Sequence, residues 1–312
     1  MAETQAPSSV VLAECRVLDV VAGSLGEELQ DVWIDGASGR IVEIARHDVR
    51  RVSACSSTVL DCGRRTVLPG LCDAHVHVTA CTADLTGLTK LPESLVAVRA
   101  ARVLEGMLRR GFTTVRDAGG ADWGLAAAVE EGAVAGPRLL FTGHALSQTG
   151  GHGDMRGRGE GGFACACAGL RGIGRVCDGV PEVRRAARDE LRKGAHCIKV
   201  MASGGVSSPT DALASTQFSR EELAAIVEEA TACGTYVAAH AYMPSAIRRA
   251  VECGVRSVEH GNHLDRATAG ARAGRLSAGL DSGWLLGCPG SVFLFDRVSI
   301  AGCGIAAAGV AE

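Results

Sequence analysis

Up to residue 67 the apolar positions fall in short runs, at residues 10–12, 16–21, 32–34, 41–44 and 66–68, with Gly, Asp and Ser between them. Runs of this length broken by turn residues predict strands, and together a small β-sandwich module over residues 1–67. From residue 68 the period changes. A strand at 68–78 is followed by residues 94–110, which repeat apolar positions at helical spacing and close on Gly111, suited to the left-handed position after a helix. A strand is predicted at 113–117, a helix at 121–134, a strand at 138–142 and a glycine-rich loop over 150–174. Next come a helix at 181–193 with proline in its first turn, a strand at 197–201 and a helix opened by the capping box Ser219-Arg220-Glu221-Glu222. A strand at 236–240, a helix at 244–253 and a strand at 257–260 complete six strand–helix units. Parallel strands joined by helical crossovers predict an α/β fold, and a repeated unit of this kind a TIM-like (β/α) barrel. A doubly wound sheet would carry a glycine fingerprint after its first strand, and His77-Val78-Thr79-Ala80-Cys81 has none.

The 312 residues carry a net charge of −3, with both signs spread along the chain. That argues against nucleic acid or an anionic membrane as partner. No apolar run approaches the ~18 residues of a membrane span, and Met1-Ala2-Glu3-Thr4-Gln5 lacks the basic segment of a secretory signal. The 13 cysteines occur singly apart from Cys165-Ala166-Cys167, and no Cys-x-x-Cys pair exists. Reduced thiols used as small apolar side chains fit this better than disulfides or zinc-thiolate sites. The composition predicts a cytoplasmic globular protein.

Candidate chemistry begins at His75-Val76-His77, on the strand after the Pro69-Gly70 turn. Side chains two apart on a strand project to one side about 7 Å apart, which suits two imidazoles on one metal ion. Lys199, His240 and His260 lie near the ends of later strands, where barrel enzymes carry their functional groups. Taken singly, packing explains each as well: His240 as a satisfied core histidine, Lys199 as an ion-pair partner, His260 as a loop cap. Their convergence at strand ends of one barrel favours function. His47, His144, His196 and His263 are expected to be structural, and Arg116 and Asp117 a structural pair at the second strand end. Gly157-Arg158-Gly159-Glu160-Gly161-Gly162 has phosphate-loop composition, but no helix start follows closely, so a substrate loop is expected there.

Leu68-Pro69-Gly70-Leu71-Cys72-Asp73-Ala74-His75-Val76-His77, Gly111-Phe112-Thr113-Thr114-Val115-Arg116-Asp117-Ala118-Gly119, Ile198-Lys199, His240-Ala241-Tyr242 and Glu259-His260-Gly261 resemble the metal-dependent amidohydrolase superfamily. Ser147-Gln148-Thr149-Gly150-Gly151-His152-Gly153-Asp154 and Ile198-Lys199-Val200-Met201-Ala202-Ser203-Gly204-Gly205-Val206 are similar to its imidazolonepropionase-related branch, which includes Xaa-Pro and other dipeptidases and ochratoxin-type amidases. The resemblance covers roughly residues 10–265. It implies two divalent metal ions, usually zinc, the first on His75 and His77 and the second on His240 and His260. Lys199 would bridge them as a carbamate formed from its amine and carbon dioxide. A carbamate offers two anionic oxygens where neutral lysine is a poor bridge, and it needs a lysine whose pKa burial has depressed. Water between the ions would ionise near neutral pH and attack an amide carbonyl as metal-bound hydroxide. Tyr242 and His152 are the candidates for gripping the substrate carbonyl or carboxylate. The implied activity is hydrolysis of amide or peptide C–N bonds, dipeptidase-like or on N-acyl amino acids. The substrate would be a dipeptide or other small molecule, and a homo-oligomer is left open.

The same pattern takes an aspartate at the end of the eighth barrel strand, which shuttles the proton from the attacking water to the leaving amine. Past Asp265 the chain stops resembling it. Residues 267–290 are rich in Gly, Ala, Arg and Ser, and 52 residues follow His260. Two further units and a returning sandwich strand need roughly 60 or more at ~30 per unit. Asp281 and Asp296 are the carboxylates at hand, neither in a strand-eight context. These features predict a barrel over residues 68–265, incomplete at its C-terminus, and an atypical segment over 266–312 of a truncated or frame-shifted product. Two alternatives follow: a mononuclear ring hydrolase or deaminase, and a catalytically dead fragment without the strand-eight aspartate. Lys199, and the lack of a glutamate shortly after His240, favour the binuclear reading over the mononuclear one.

Overall fold

The structure, a computed structural model, describes residues 9–161 and 172–270. Cys165 and Cys167, the centre of the glycine-rich loop, and Asp281 and Asp296 with the rest of 271–312 lie outside the described residues. The chain divides between Pro69 and Gly70 into two units.

The first unit, Met1–Pro69, contains strands β1 (Val10–Asp19), β2 (Ser24–Leu25), β3 (Gln30–Ile34) and β4 (Ile41–Arg46), helix α1 (Val49–Ala54), then β5 (Thr58–Asp61) and β6 (Thr66–Val67). The strands order as β2-β1-β3-β4, with β5 and β6 pairing in parallel alongside β1. The first two apolar runs are one strand with a bulge. Glu14 turns to φ 53°, the β1–β3 register shifts between Leu12 and Cys15, and the Glu14 N–H donates to Asp31 Oδ1 at 3.0 Å instead of the ladder. Helix α1 has no apolar face and is set by its cap, since Asp48 accepts from the amides of Arg50 and Arg51. The strands of this unit pair as one six-stranded sheet among the described residues.

The second unit, Gly70–Glu312, runs β7 (Leu71–Val76), α2 (Leu85–Leu88), α3 (Glu93–Arg109), β8 (Phe112–Asp117), α4 (Trp123–Glu130), β9 (Arg138–Phe141) and β10 (Ala145–Ser147). It continues with β11 (Gly174–Val176), α5 (Gly179–Arg192), β12 (Ile198–Met201), α6 (Arg220–Ala232), β13 (Val237–Ala241), α7 (Pro244–Glu252) and β14 (Ser257–His260). All pairings between these strands are parallel, in two sheets ordered β7-β8-β9 and β11-β10-β12-β13-β14. Strand β9 matches the predicted run at 138–142, and β10, which was not predicted, follows it after Gly143 at φ 68°. The mixed α/β class stands.

Helical period explains which faces meet the sheets. Val96, Ala100 and Leu104 of α3 are fully buried, the last two in one cluster with Val115 and Leu139, and Val183, Ala186 and Ala187 of α5 are buried with Leu146, Ile198 and Ile226. Strands β12 and β13 are buried along their whole length, and parallel strands covered on both faces read as unbroken apolar runs. The capping box opens α6 as expected, with Ser219 and Glu222 satisfying each other's backbone amides. The described cysteines are all free, and among the described residues no helix is long and apolar enough to cross a membrane. Ile226 is fully buried in the larger core. Ile226→Ala is expected to lower unfolding stability by about 2–5 kcal/mol, read as a shifted urea midpoint at unchanged slope.

Candidate metal centre

The second unit's strands bring four histidines and a lysine into one buried cluster. His75 lies near the end of β7 and His77 one residue past it, where the β7–β8 register shifts between Asp73 and Val76. The departure from a regular strand lets the two rings converge rather than run side by side. Their centroids are 5.2 Å apart and their Nε2 atoms 3.3 Å. His260 stacks obliquely on His75 at 4.7 Å and meets His240 edge-on at 4.6 Å. His152 lies flat on His240 at 4.2 Å, and Tyr242 is parallel to His260 at 5.1 Å.

Backbone geometry at β14 makes part of this possible. Neighbouring positions on a strand face opposite ways, yet both Glu259 and His260 reach His75. His260 sits at φ 70°, a left-handed conformation that costs a non-glycine residue energy and clusters at functional sites. His152 is placed by its loop. Its amide donates to Gln217 Oε1 at 2.9 Å, and its Nδ1 meets Ser208 Oγ at 2.8 Å. Gly205 leaves room for the ring, since a Cβ there would lie 2.0 Å from His152 Cε1.

Burial holds every imidazole of the cluster neutral. It pushes the pKa of His77 and of His260 down to about 3, and those of His75, His152 and His240 below the ordinary range. Lys199, 1% exposed, is brought down to about 8 by the same desolvation. It is the second residue of β12 rather than its end, which corrects the strand-end expectation. The Arg116–Asp117 pair is also corrected. Arg116 NH2 donates to Glu259 Oε1 at 2.6 Å, while Asp117 accepts from the amides of Val78, Gly119 and Ala121. Burial pushes Asp117 up to about 7 against those three donors.

Hydrogen-bond logic assigns the ring protons of the first histidine pair. His75 Nδ1 lies 2.8 Å from Glu259 Oε2, and His77 Nδ1 lies 2.8 Å from the Gly119 carbonyl. A carboxylate or carbonyl oxygen only accepts, so each Nδ1 carries the proton and each Nε2 is bare. Although burial raises it, Glu259 stays ionised, because His75, Arg116 and Lys199 hold its pKa well below the usual carboxylate range. Two lone pairs therefore face each other across 3.3 Å, an arrangement that calls for a cation between them. Tetrahedral zinc with Zn–N bonds of about 2.0–2.1 Å sets two such nitrogens about 3.3–3.4 Å apart. The residues fit the ion.

Among the described residues no three His, Cys, Asp or Glu side chains are grouped to hold an ion alone. The fit therefore rests on histidine pairs with Lys199 beside them. In the second pair, His240 Nε2 donates to the Gly204 carbonyl at 3.1 Å, which leaves Nδ1 as its lone-pair nitrogen. Histidines expected to be structural have such roles: His47 binds Asp31 at 2.7 Å, and His196 packs on Phe141 and accepts its amide. Glu259 and the Gly119 carbonyl carry functions that the sequence reading did not assign. The signal available for Glu259 was its place directly before His260 at a strand end.

The amidohydrolase family profile matches residues 66–302. This chain belongs to the amidohydrolase family. The match carries the likeness past Asp265, further than the motifs alone reach. Ochratoxinase from Aspergillus niger is 41% identical over 211 residues, which are 64% of this chain and 44% of that protein. The chain thus spans less than half the length of this curated relative. Among solved structures, a prolidase complexed with N-methylphosphonate-L-proline is 45% identical, with TM-score 0.80 over 96% of this chain and 76% of that one. A Xaa-Pro dipeptidase with bound methionine is 28% identical, with TM-score 0.74 over 86% of this chain and 65% of that one. The A. niger ochratoxinase structure is 26% identical, with TM-score 0.69 over 98% and 74%.

The depressed lysine gives this amidohydrolase a pH signature. Lys199 titrates near 8 when folded and near its ordinary value of 10.5 when unfolded, so between these the unfolded chain binds more protons. Stability of the metal-free protein from this group then rises with pH across 8–10.5. Denaturant titrations at several pH values should show wild type gaining on Lys199→Met over that window. Parallel pH curves for the two would contradict it.

Proposed function

We propose that this chain is a binuclear metal-dependent hydrolase of amide or peptide C–N bonds, dipeptidase-like or acting on N-acyl amino acids. The single observation that carries the reading is the pair of bare Nε2 atoms on His75 and His77, 3.3 Å apart beside a buried lysine. The parallel strands of the second unit would form the greater part of a (β/α) barrel. His75 and His77 would hold one ion, and His240 and His260 the other. Bound divalent ions, zinc by the nitrogen-rich donor set, supply the carbonyl polarisation and acidified water that amide hydrolysis needs at neutral pH.

Lys199, as a carbamate, would help to hold the ions. A pKa near 8 leaves a useful fraction of its amine unprotonated at neutral pH. The neutral Nζ then bonds to the carbon of carbon dioxide as one C–O π bond opens, and it releases one proton, so a neutral amine becomes a carbamate with one negative charge shared by two oxygens. His152 and Tyr242 are assigned to the substrate. Each packs flat against a different candidate ligand, His152 on His240 and Tyr242 on His260, so both rings border the same space. Because Ser208 engages His152 Nδ1, Nε2 is the nitrogen left for a substrate carbonyl or carboxylate. The names of the relatives, prolidase, Xaa-Pro dipeptidase and ochratoxinase, support dipeptides and acylated amino acids as the substrates to try first.

Metal analysis and a hydrolysis screen test this together. The chain loaded with zinc should hold about two ions and hydrolyse members of an Xaa-Pro, Xaa-Arg and N-acyl amino acid panel, and Lys199→Ala should lose about 100-fold or more in rate. Two ions without turnover on any substrate would mean a catalytically dead chain. An ion content near zero would remove the metal reading itself.

A further inference from the structure

The two oxygens of Glu259 are not interchangeable. Oε1 accepts from Arg116 NH2 at 2.6 Å and from Ser257 Oγ at 2.7 Å, while Oε2 accepts from His75 Nδ1 at 2.8 Å. Arg116 is itself held, with Nε donating to the Ala74 carbonyl at 2.7 Å and NH1 to the Tyr236 hydroxyl at 3.0 Å. Guanidinium has donors and no acceptor, so whatever occupies the Oε1 position must accept. Both partners are buried, so water does not stand in for a lost contact.

We propose that Arg116 and Glu259 are a positioning pair that locks His75 in its Nδ1–H tautomer and so presents a bare Nε2 to the metal before any ion arrives. The inference rests on His75 and His77 being ion ligands and adds what prepares one of them. Three strands contribute: Arg116 from β8 grips Glu259 from β14, which grips His75 on β7. Ligand orientation by an outer carboxylate is worth about 10–100-fold in metal affinity where it has been removed elsewhere. Here the guanidinium adds a directional demand, because it decides which atom of residue 259 can face it.

That demand predicts an inversion. In Glu259→Gln, Arg116 still requires the oxygen, so the amide NH2 falls against His75 Nδ1. An NH2 group donates, so the imidazole proton must move to Nε2, the nitrogen that has to be bare. Adding Arg116→Met removes the demand, frees the glutamine oxygen to turn to His75, and restores the original tautomer. The double variant also avoids leaving a buried guanidinium without its counter-ion, a loss that endangers folding of the single variant.

The test uses the full chain stripped of metal, with nitrogen-15 NMR of the imidazoles for the tautomer and a chelator competition for zinc affinity. Wild-type His75 should show Nδ1 protonated and Nε2 bare. Glu259→Gln should show the reverse and bind the first zinc about 10–100-fold more weakly, and Glu259→Gln/Arg116→Met should recover most of that loss. A wild-type His75 protonated at Nε2 overturns the proposal, as does a folded Glu259→Gln within about two-fold of wild type or a double variant no stronger than the single. Should the single variant fail to fold, the wild-type tautomer and the affinity of the double variant decide. A wild-type chain that binds no zinc refutes the metal reading, while the NMR tautomers still judge the positioning pair.

Discussion

Five basic side chains share one buried cluster, and desolvation works against their charges, holding the four imidazoles neutral and lowering the pKa of Lys199 to about 8. Two protonated imidazoles 3.3 Å apart, beside an ammonium, would repel strongly in a medium that screens poorly. Shedding protons removes that repulsion and leaves lone pairs, so the physics of burial and the needs of metal binding point the same way. Metal ligands must be deprotonated, and most sites release protons when the ion enters. Here the four candidate histidines are already neutral, with His77 and His260 near pKa 3. Formal charge stays on the Arg116–Glu259 pair, one step behind His75, and on the protonated share of Lys199.

Sequence pattern made the architecture of the second unit readable because its elements obey simple periods. Strands β12 and β13 are apolar but for Lys199 and His240, and helices α3 and α5 repeat their buried positions every three or four residues. The first unit was less readable. Its β1 appeared as two strands, since the bulge at Glu14 depends on Asp31, which lies 17 positions away and carries no local signal. Helix α1 was missed because a six-residue helix set by one aspartate has no period to detect.

At the site, residue types able to bind metals were legible in the sequence, and the residues that contact them were not. His75, His77, His240 and His260 are scarce side chains at motif positions, whereas Arg116 beside Asp117 looked like a local ion pair. Asp117 turned to backbone amides because the chain reverses at Gly119 and Gly120, whose φ values of 151° and 113° aim several N–H groups at one carboxylate. Arg116 was then left for Glu259, 143 residues onward, and only folding makes them neighbours. Lys199 was placed by type and not by position, since one-residue limits of a strand depend on pairing rather than composition.

The two halves of the centre differ in what orders them. His75 and His77 are oriented by Glu259 on a strand and by the Gly119 carbonyl, which Asp117 anchors. His240 and His152 depend on the segment between β12 and α6: Gly204 accepts from His240, Ser208 and Gln217 bind His152, and Asp211 ties Gly205, Ser208 and Gln217 together. Strand pairing is among the last structure to open, and connecting segments are among the first. One candidate pair is thus held from β14 and the Gly119 carbonyl, while His240 of the other shares its support with the loop that carries His152, the ring proposed to face substrate. Because His152 stacks on His240, movement of its loop would bear directly on that candidate ligand.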